Sequence, residues 1–172
     1  TKNVPNDPPR GPDVPPLPDP APFALENVHF SGVSMDVRGD AFLITIAGRV
    51  LMTNLTRRSE EALATLGCAP IAKRASPRVL IGGLGMAYTL RAALDALPAT
   101  AEVTVAELNP TVLAWCQGPL APLTNGAVHD PRVKVVIQDV ARLIMRANAA
   151  PYDAVLLDLY EGPHAATQQG DD

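Results

Sequence analysis

RVLIGGLGMAYTLRAAL (residues 78–94) passes from a short apolar run into a helical pattern, with Gly82, Gly83 and Gly85 at the junction. Glycine loses more conformational freedom on folding than any other residue, so three at one junction need a reason. A strand that turns sharply into a helix, with a ligand against the first helical amides, supplies one: only residues without side chains let ligand and backbone come that close. A tight strand-to-helix connection without a ligand competes with it. The glycines alone do not separate the two.

Working outward, the same unit recurs. The apolar runs RVLI (78–81), EVTVAE (102–107), VKVVI (133–137) and AVLLDL (154–159) read as strands, and helical patterns follow three of them. Asn109 is placed to cap a helix with Pro110 at its first position and Gly118 after its end, and Asp139 to cap VARLIMRA. Near-continuous apolar strands alternating with helices indicate a parallel sheet covered on both faces, a doubly wound α/β architecture.

Upstream, the pattern changes. VSMDV and AFLITI flank Arg38-Gly39-Asp40, and RVLMT follows Ala47-Gly48, which predicts a small antiparallel meander with Arg-Gly-Asp as a turn. SEEALATLG reads as a short helix with Ser59 as N-cap, Glu60 and Glu61 in the first turn and Gly67 just past the end. Nine of the 18 prolines fall within the first 22 residues, a composition that favours extended chain over a packed core. The expected organisation is a proline-rich flexible leader (1–22), a meander plus helix (23–76) and an α/β domain (77–172).

Composition narrows the function classes. The chain has 172 residues, 47% of them apolar, and a formal charge of −4, so it can bury one core and is not a polybasic nucleic-acid binder. No apolar run reaches the length of a membrane span, and no signal-peptide pattern opens the chain, so a cytoplasmic setting with no membrane or nucleic-acid partner is expected. Cys68 and Cys116 lie far apart with no ligand spacing and are read as buried thiols; no metal is expected. The first residue is Thr, which reads as a chain lacking its start.

In doubly wound sheets ligands sit at the carboxyl ends of the strands. Glu107 ends the second strand, where a carboxylate accepts hydrogen bonds from ribose hydroxyls. Asp139 follows the third strand and suits an adenine amino group, or a helix cap, or both. Asp158 and Glu161 flank the end of the fourth, and two carboxylates there can hold and deprotonate an amine. An acid closing an apolar strand needs a partner if it is buried, which sets Asp158 apart from Glu161, an ordinary loop acid in the plainer reading. Tyr160 and His164 read as rim and loop. A nicotinamide dinucleotide fingerprint would need Gly or Ala where Tyr88 stands; Gly-x-Gly-x-Ala followed by Glu107 and Asp139 better suits an adenosine sulfonium.

The segments VLIGGLGMAYTLRAAL, VTVAELNPTV, DPRVKVVIQDVARL and YDAVLLDLYEGP resemble, in order, the motifs of spermidine synthase-like proteins, the polyamine aminopropyltransferase family. The resemblance covers roughly 44–162 and implies a Rossmann-like S-adenosylmethionine-dependent methyltransferase fold, preceded by the meander. It further implies a site for S-adenosylmethionine or decarboxylated S-adenosylmethionine as co-substrate. Gly82, Gly83 and Gly85 would lie by the methionine-derived chain, Glu107 at the ribose, and Asp139 and Val140 at the adenine. Asp158 would match the base that activates the acceptor amine, with Glu161 as the second acid. The chain departs from the family at three places: Met86 where an Asp helps hold the donor's amino end, Leu63-Ala64 where a Tyr-His pair stands, and Asp158-Leu159-Tyr160-Glu161 in place of Asp-Ser-Ser-Asp.

The expected activity is aminopropyl transfer to a small-molecule amine. Alternatives are methyl transfer from S-adenosylmethionine to another small acceptor, or a non-catalytic nucleoside-binding fragment. After AVLLDL little chain remains, so the α/β domain is expected to be incomplete, with its fourth strand an apolar edge. A second copy covering that edge would make a homodimer.

Overall fold

The structure is a computed structural model and describes residues 33–38, 40–46, 49–146 and 151–159. The proline-rich leader, Glu161, Tyr160 and His164 lie outside the described residues. Three antiparallel strands come first: β1 (Val33–Arg38), β2 (Ala41–Ile46) and β3 (Arg49–Thr53). Arg38 pairs with Ala41 and Ile46 with Arg49, so each connection is two residues long, as the Arg-Gly-Asp and Ala-Gly turns require. Asn54 closes the meander: its side-chain oxygen accepts from the Phe42 N–H at 2.8 Å and its amide donates to the Asp40 carbonyl at 2.8 Å.

Helix α1 (Arg58–Cys68) begins one residue before the expected cap. Ser59 lies inside it and donates to Glu60 Oε2 at 2.6 Å, and no side chain caps the helix. Gly67 also lies inside, not beyond the end. A Cβ there would collide with Leu156 Cδ2, so the glycine serves close packing of helix on sheet where a C-terminal stop was expected.

The second sheet has the order β6-β5-β4-β7, all parallel: β4 (Arg78–Gly82), β5 (Glu102–Glu107), β6 (Val133–Ile137) and β7 (Ala154–Leu157). Val79, Leu80 and Ile81 of β4 are wholly buried and feed both faces. Val79 and Ile81 join the main core with α1 and α2 (Tyr88–Ala96) and with Val112 and Cys116 of α3 (Pro110–Gln117). Leu80 and Ala106 face Val140 of α4 (Val140–Arg146) in a smaller cluster on the other side. Helices on both faces explain why the strands read as continuous apolar runs. The expected doubly wound α/β architecture with its meander is therefore present.

The caps downstream also agree. Asn109 accepts from the Thr111 N–H at 2.9 Å and Asp139 from the Ala141 N–H at 2.9 Å, satisfying first-turn amides that have no partner inside their helices. Strand β7 is anchored at its start, where Asp153 accepts from the Arg78 N–H at 2.8 Å and pairs with Arg74. It ends at Leu157, two residues short of the expected run. Among the described residues its only strand partner is β4, and Val155 and Leu157 remain about half exposed. No described helix is long and apolar enough to cross a membrane.

Candidate functional site

The carboxyl ends of β4, β5, β6 and β7 open on one cavity of about 430 Å³, within the range of small-molecule sites. Gly83 and Gly85, Glu107, Asp139 with Val140, and Asp158 all line it. The fold thus brings together six of the residues singled out in the sequence, from four separate strand ends. Gly82 is not among them: it completes β4, and a Cβ on it would press on Leu157 and Val140. The meander forms the facing wall through Val33, Ile44, Ile46, Leu51 and Met52.

The glycine turn is explained first by the protein itself. Gly83 has φ +89° and Gly85 φ +51°, a region that side chains disfavour. A Cβ on Gly83 would collide with the Asp158 main-chain oxygen, and one on Gly85 would stand 2.7 Å from Met52 Cε. Close approach of the chain to itself therefore requires both glycines, and their lining the cavity comes in addition. The Cys116 thiol donates to the Gly85 carbonyl at 3.2 Å, and burial pushes that thiol up to about 12, with the charge of Glu107 adding to the effect. Cys68 and Cys116 are both free and buried.

Glu107 has a job inside the fold. One oxygen accepts from the Leu84 N–H at 2.9 Å and the other from the Asn109 N–H at 2.8 Å, so the carboxylate ties the glycine turn to the entrance of α3. Asp158 lies just past β7, held by its own N–H donating to the Gly82 carbonyl at 2.8 Å. Its Oδ2 accepts from the Thr89 hydroxyl at 2.7 Å. Burial raises the Asp158 carboxyl above the ordinary range; the Thr89 hydrogen bond works against that rise, and the nearby charge of Glu60 works with it.

Two functional candidates escaped the sequence reading. Glu60 was assigned to a helix N-terminus, yet it lines the cavity. Thr89 read as one more helical residue, yet it is the partner that Asp158 was expected to need. An unpartnered acid at a strand end was the available signal; which residue answers it depends on where the first turn of α2 lies relative to the residue after β7. Two of the three departures from the family pattern fall elsewhere, while in the third Leu159 lines the cavity beside Asp158. Met86 is buried in the core at 1% exposure, Ala64 is wholly buried, and neither they nor Leu63 line the cavity.

The electrostatics are one-sided. Glu60, Glu107, Asp139 and Asp158 are in the wall, and among the described lining residues there is no Lys, Arg or His. A concave, partly desolvated surface carrying one sign of charge favours a ligand of the other sign. Among the described residues no group of three or more His, Cys, Asp or Glu is arranged to hold a metal ion.

No protein-family model matches the chain. Polyamine aminopropyltransferase 2 of Caldanaerobacter subterraneus subsp. tengcongensis is 33% identical over 97 residues, which cover 55% of this chain and 31% of that protein. The polyamine aminopropyltransferase of Korarchaeum cryptofilum is 35% identical over 82 residues, 48% of this chain and 25% of that one. Among solved structures, spermidine synthase from Thermotoga maritima superposes with a TM-score of 0.58 at 20% identity, covering 72% of this chain and 41% of its own. A spermidine synthase in complex with the transition-state analogue AdoDATO gives 0.58 at 22% identity, covering 70% and 40%. The fold is that of these proteins. The matched segments span less than a third of the curated relatives' length.

Proposed function

From a chain that is spermidine synthase-like in sequence and in fold, we propose an enzyme that transfers an aminopropyl group from decarboxylated S-adenosylmethionine to a small-molecule amine. The observation that carries this reading is that every charged side chain described in the cavity wall is acidic. The proposed donor holds a sulfonium and an ammonium with no carboxylate to oppose them. Intact S-adenosylmethionine adds a carboxylate, for which the described wall offers no cation, and a dinucleotide would bring a pyrophosphate against four acids.

In this reading the adenosine lies across the ends of β5 and β6, with Glu107 toward the ribose and Asp139 and Val140 toward the adenine. Gly83 and Gly85 lie beside the chain that carries the sulfur. The acceptor enters between the meander's apolar wall and Asp158, where Glu60 adds a second negative charge. The amine lone pair attacks the propyl carbon next to sulfur; the new C–N bond forms as the C–S bond breaks, its electron pair returning to sulfur to leave methylthioadenosine. Asp158 takes the proton released from the nitrogen. A base whose burial lifts its proton affinity is suited to that step, and catalysis otherwise consists of holding the two reactants in line. Glu161, outside the described residues, remains the second acid of the proposal, and a cytoplasmic setting goes with it.

Calorimetric titration with decarboxylated S-adenosylmethionine, S-adenosylmethionine and methylthioadenosine tests the reading. Preference for the decarboxylated ligand, followed by amine transfer that Asp158→Asn abolishes without loss of nucleoside binding, is the expected result. Preference for the intact ligand would move the assignment to a methyltransferase. Absence of heat with all three from folded protein would leave the glycine turn purely structural.

A further inference from the structure

We propose that Thr89 is a positioning residue for Asp158: its hydroxyl commits one carboxylate oxygen to the fold and leaves the other for the acceptor's proton. The inference rests on the reading of Asp158 as the base and adds to it a residue that neither the glycine turn nor the strand-end acids contain.

Three observations carry it. Thr89 is 2% exposed, so its hydroxyl cannot turn to solvent and needs a partner inside the protein. The partner is Asp158 Oδ2 at 2.7 Å, and among the described residues no hydrogen bond reaches Oδ1. Thr89 is also the second residue of α2, immediately after the glycine turn. The same short segment that approaches the proposed donor therefore sets the rotation of the proposed base. A carboxylate at the end of a strand has a free side-chain torsion unless something fixes it, and misorientation of a base by a fraction of its reach is costly in rate.

The charges around Asp158 make the direction of the effect definite. Glu60 faces it from α1, while Glu107 and Asp139 share its cavity from β5 and the start of α4. All are acidic, and the charge of Glu60 opposes ionisation together with burial. The Thr89 hydroxyl is the one described side chain that donates to the ionised form, which a base must occupy before it can accept a proton. Removing the donor leaves a carboxyl that stays protonated to higher pH and is less well aimed when it ionises.

The test follows the Asp158 carboxyl by carbon NMR across a pH titration of the full chain, with Asp158→Asn identifying the signal. In the unmodified chain the Thr89 side-chain resonances should shift with the Asp158 midpoint. Thr89→Val should move that midpoint to higher pH, and Thr89→Ser should restore it. In the transfer assay Thr89→Val should lower kcat on the order of ten-fold on the acid limb, leaving KM within about two-fold. Its acid limb should move to higher pH, which a merely structural role would not cause. A Thr89 signal indifferent to Asp158 overturns the proposal in the unmodified chain, whatever the variants do, and so does an unmoved midpoint in Thr89→Val. A fully active Asp158→Asn removes the base reading and this inference with it. An inactive Asp158→Asn beside an unaltered Thr89→Val removes only the role of Thr89.

Discussion

The main-chain oxygen of Asp158 occupies the place that a Cβ on Gly83 would take. The turn after β4 and the end of β7 are therefore fitted to one another at backbone level, and neither can shift without the other. Gly83→Ala meets a carbonyl that cannot rotate away and a φ of +89° that alanine disfavours. We expect it to destabilise the chain by about 3 kcal/mol or more, read from chemical denaturation. Gly85→Ala, whose neighbour is the flexible end of Met52, should cost clearly less.

Glu107 should matter to the protein without any ligand. Each of its oxygens serves a backbone amide, Leu84 on one side and Asn109 on the other, and glutamine offers one oxygen where two are used. Glu107→Gln is expected to lower ligand-free stability by about 2 kcal/mol as well as nucleoside affinity. Unchanged ligand-free unfolding would show that its backbone contacts carry nothing.

The pH dependence of Asp158 has a definite sign. Its folded carboxyl lies above the unfolded value, so folding disfavours the ionised form. Its contribution is most favourable below the unfolded value near 3.8 and is lost as pH rises through the folded one. Asp158→Asn keeps an oxygen for Thr89 and carries no charge, so its urea midpoint should exceed the parent's at pH 7 and approach it near pH 3. A variant less stable at neutral pH would contradict the burial argument.

Asp130 shows the opposite sign. Hydrogen bonds from the Arg132 guanidinium, whose other end donates to the carbonyls of Leu94, Leu97 and Pro98 behind α2, hold its carboxyl down at about 2. That stability is present above the unfolded value near 3.8 and disappears as pH falls toward about 2. Asp130→Asn should therefore cost about 1–2 kcal/mol at pH 7 and progressively less as pH falls through about 2, measured as the pH dependence of the unfolding midpoint.

Much of the fold was legible because its signals are local. The period-two alternation over 33–53, the continuous apolar strands, and the Asn109 and Asp139 caps each report on a few neighbouring residues. Ser59 and Gly67 misled for the same reason: both fit the grammar of helix ends, but α1 runs from Arg58 to Cys68, two residues further at each end, and Gly67 is needed inside it against Leu156 of β7. In the site, the strand-end acids stood out by position, whereas Thr89 and Glu60 became candidates only once the fold set Thr89 against Asp158 and Glu60 in the cavity wall. The reason for Gly83 was half legible. A close backbone approach was evident, but the approaching group is this chain's own carbonyl.

The parallel pairing of β4 with β7 joins Val79 to Ala154 and Gly82 to Leu157, residues about 75 positions apart. During synthesis the glycine turn, Glu107 and Asp139 are all made before Asp158. Their strands pair over shorter loops, which close at lower entropic cost and sooner. The end of the cavity proposed for the nucleoside thus rests on the shorter closures, and the end that carries Asp158 on the longest. A chain stalled part-way would hold the donor's surroundings without the group proposed to act on the acceptor.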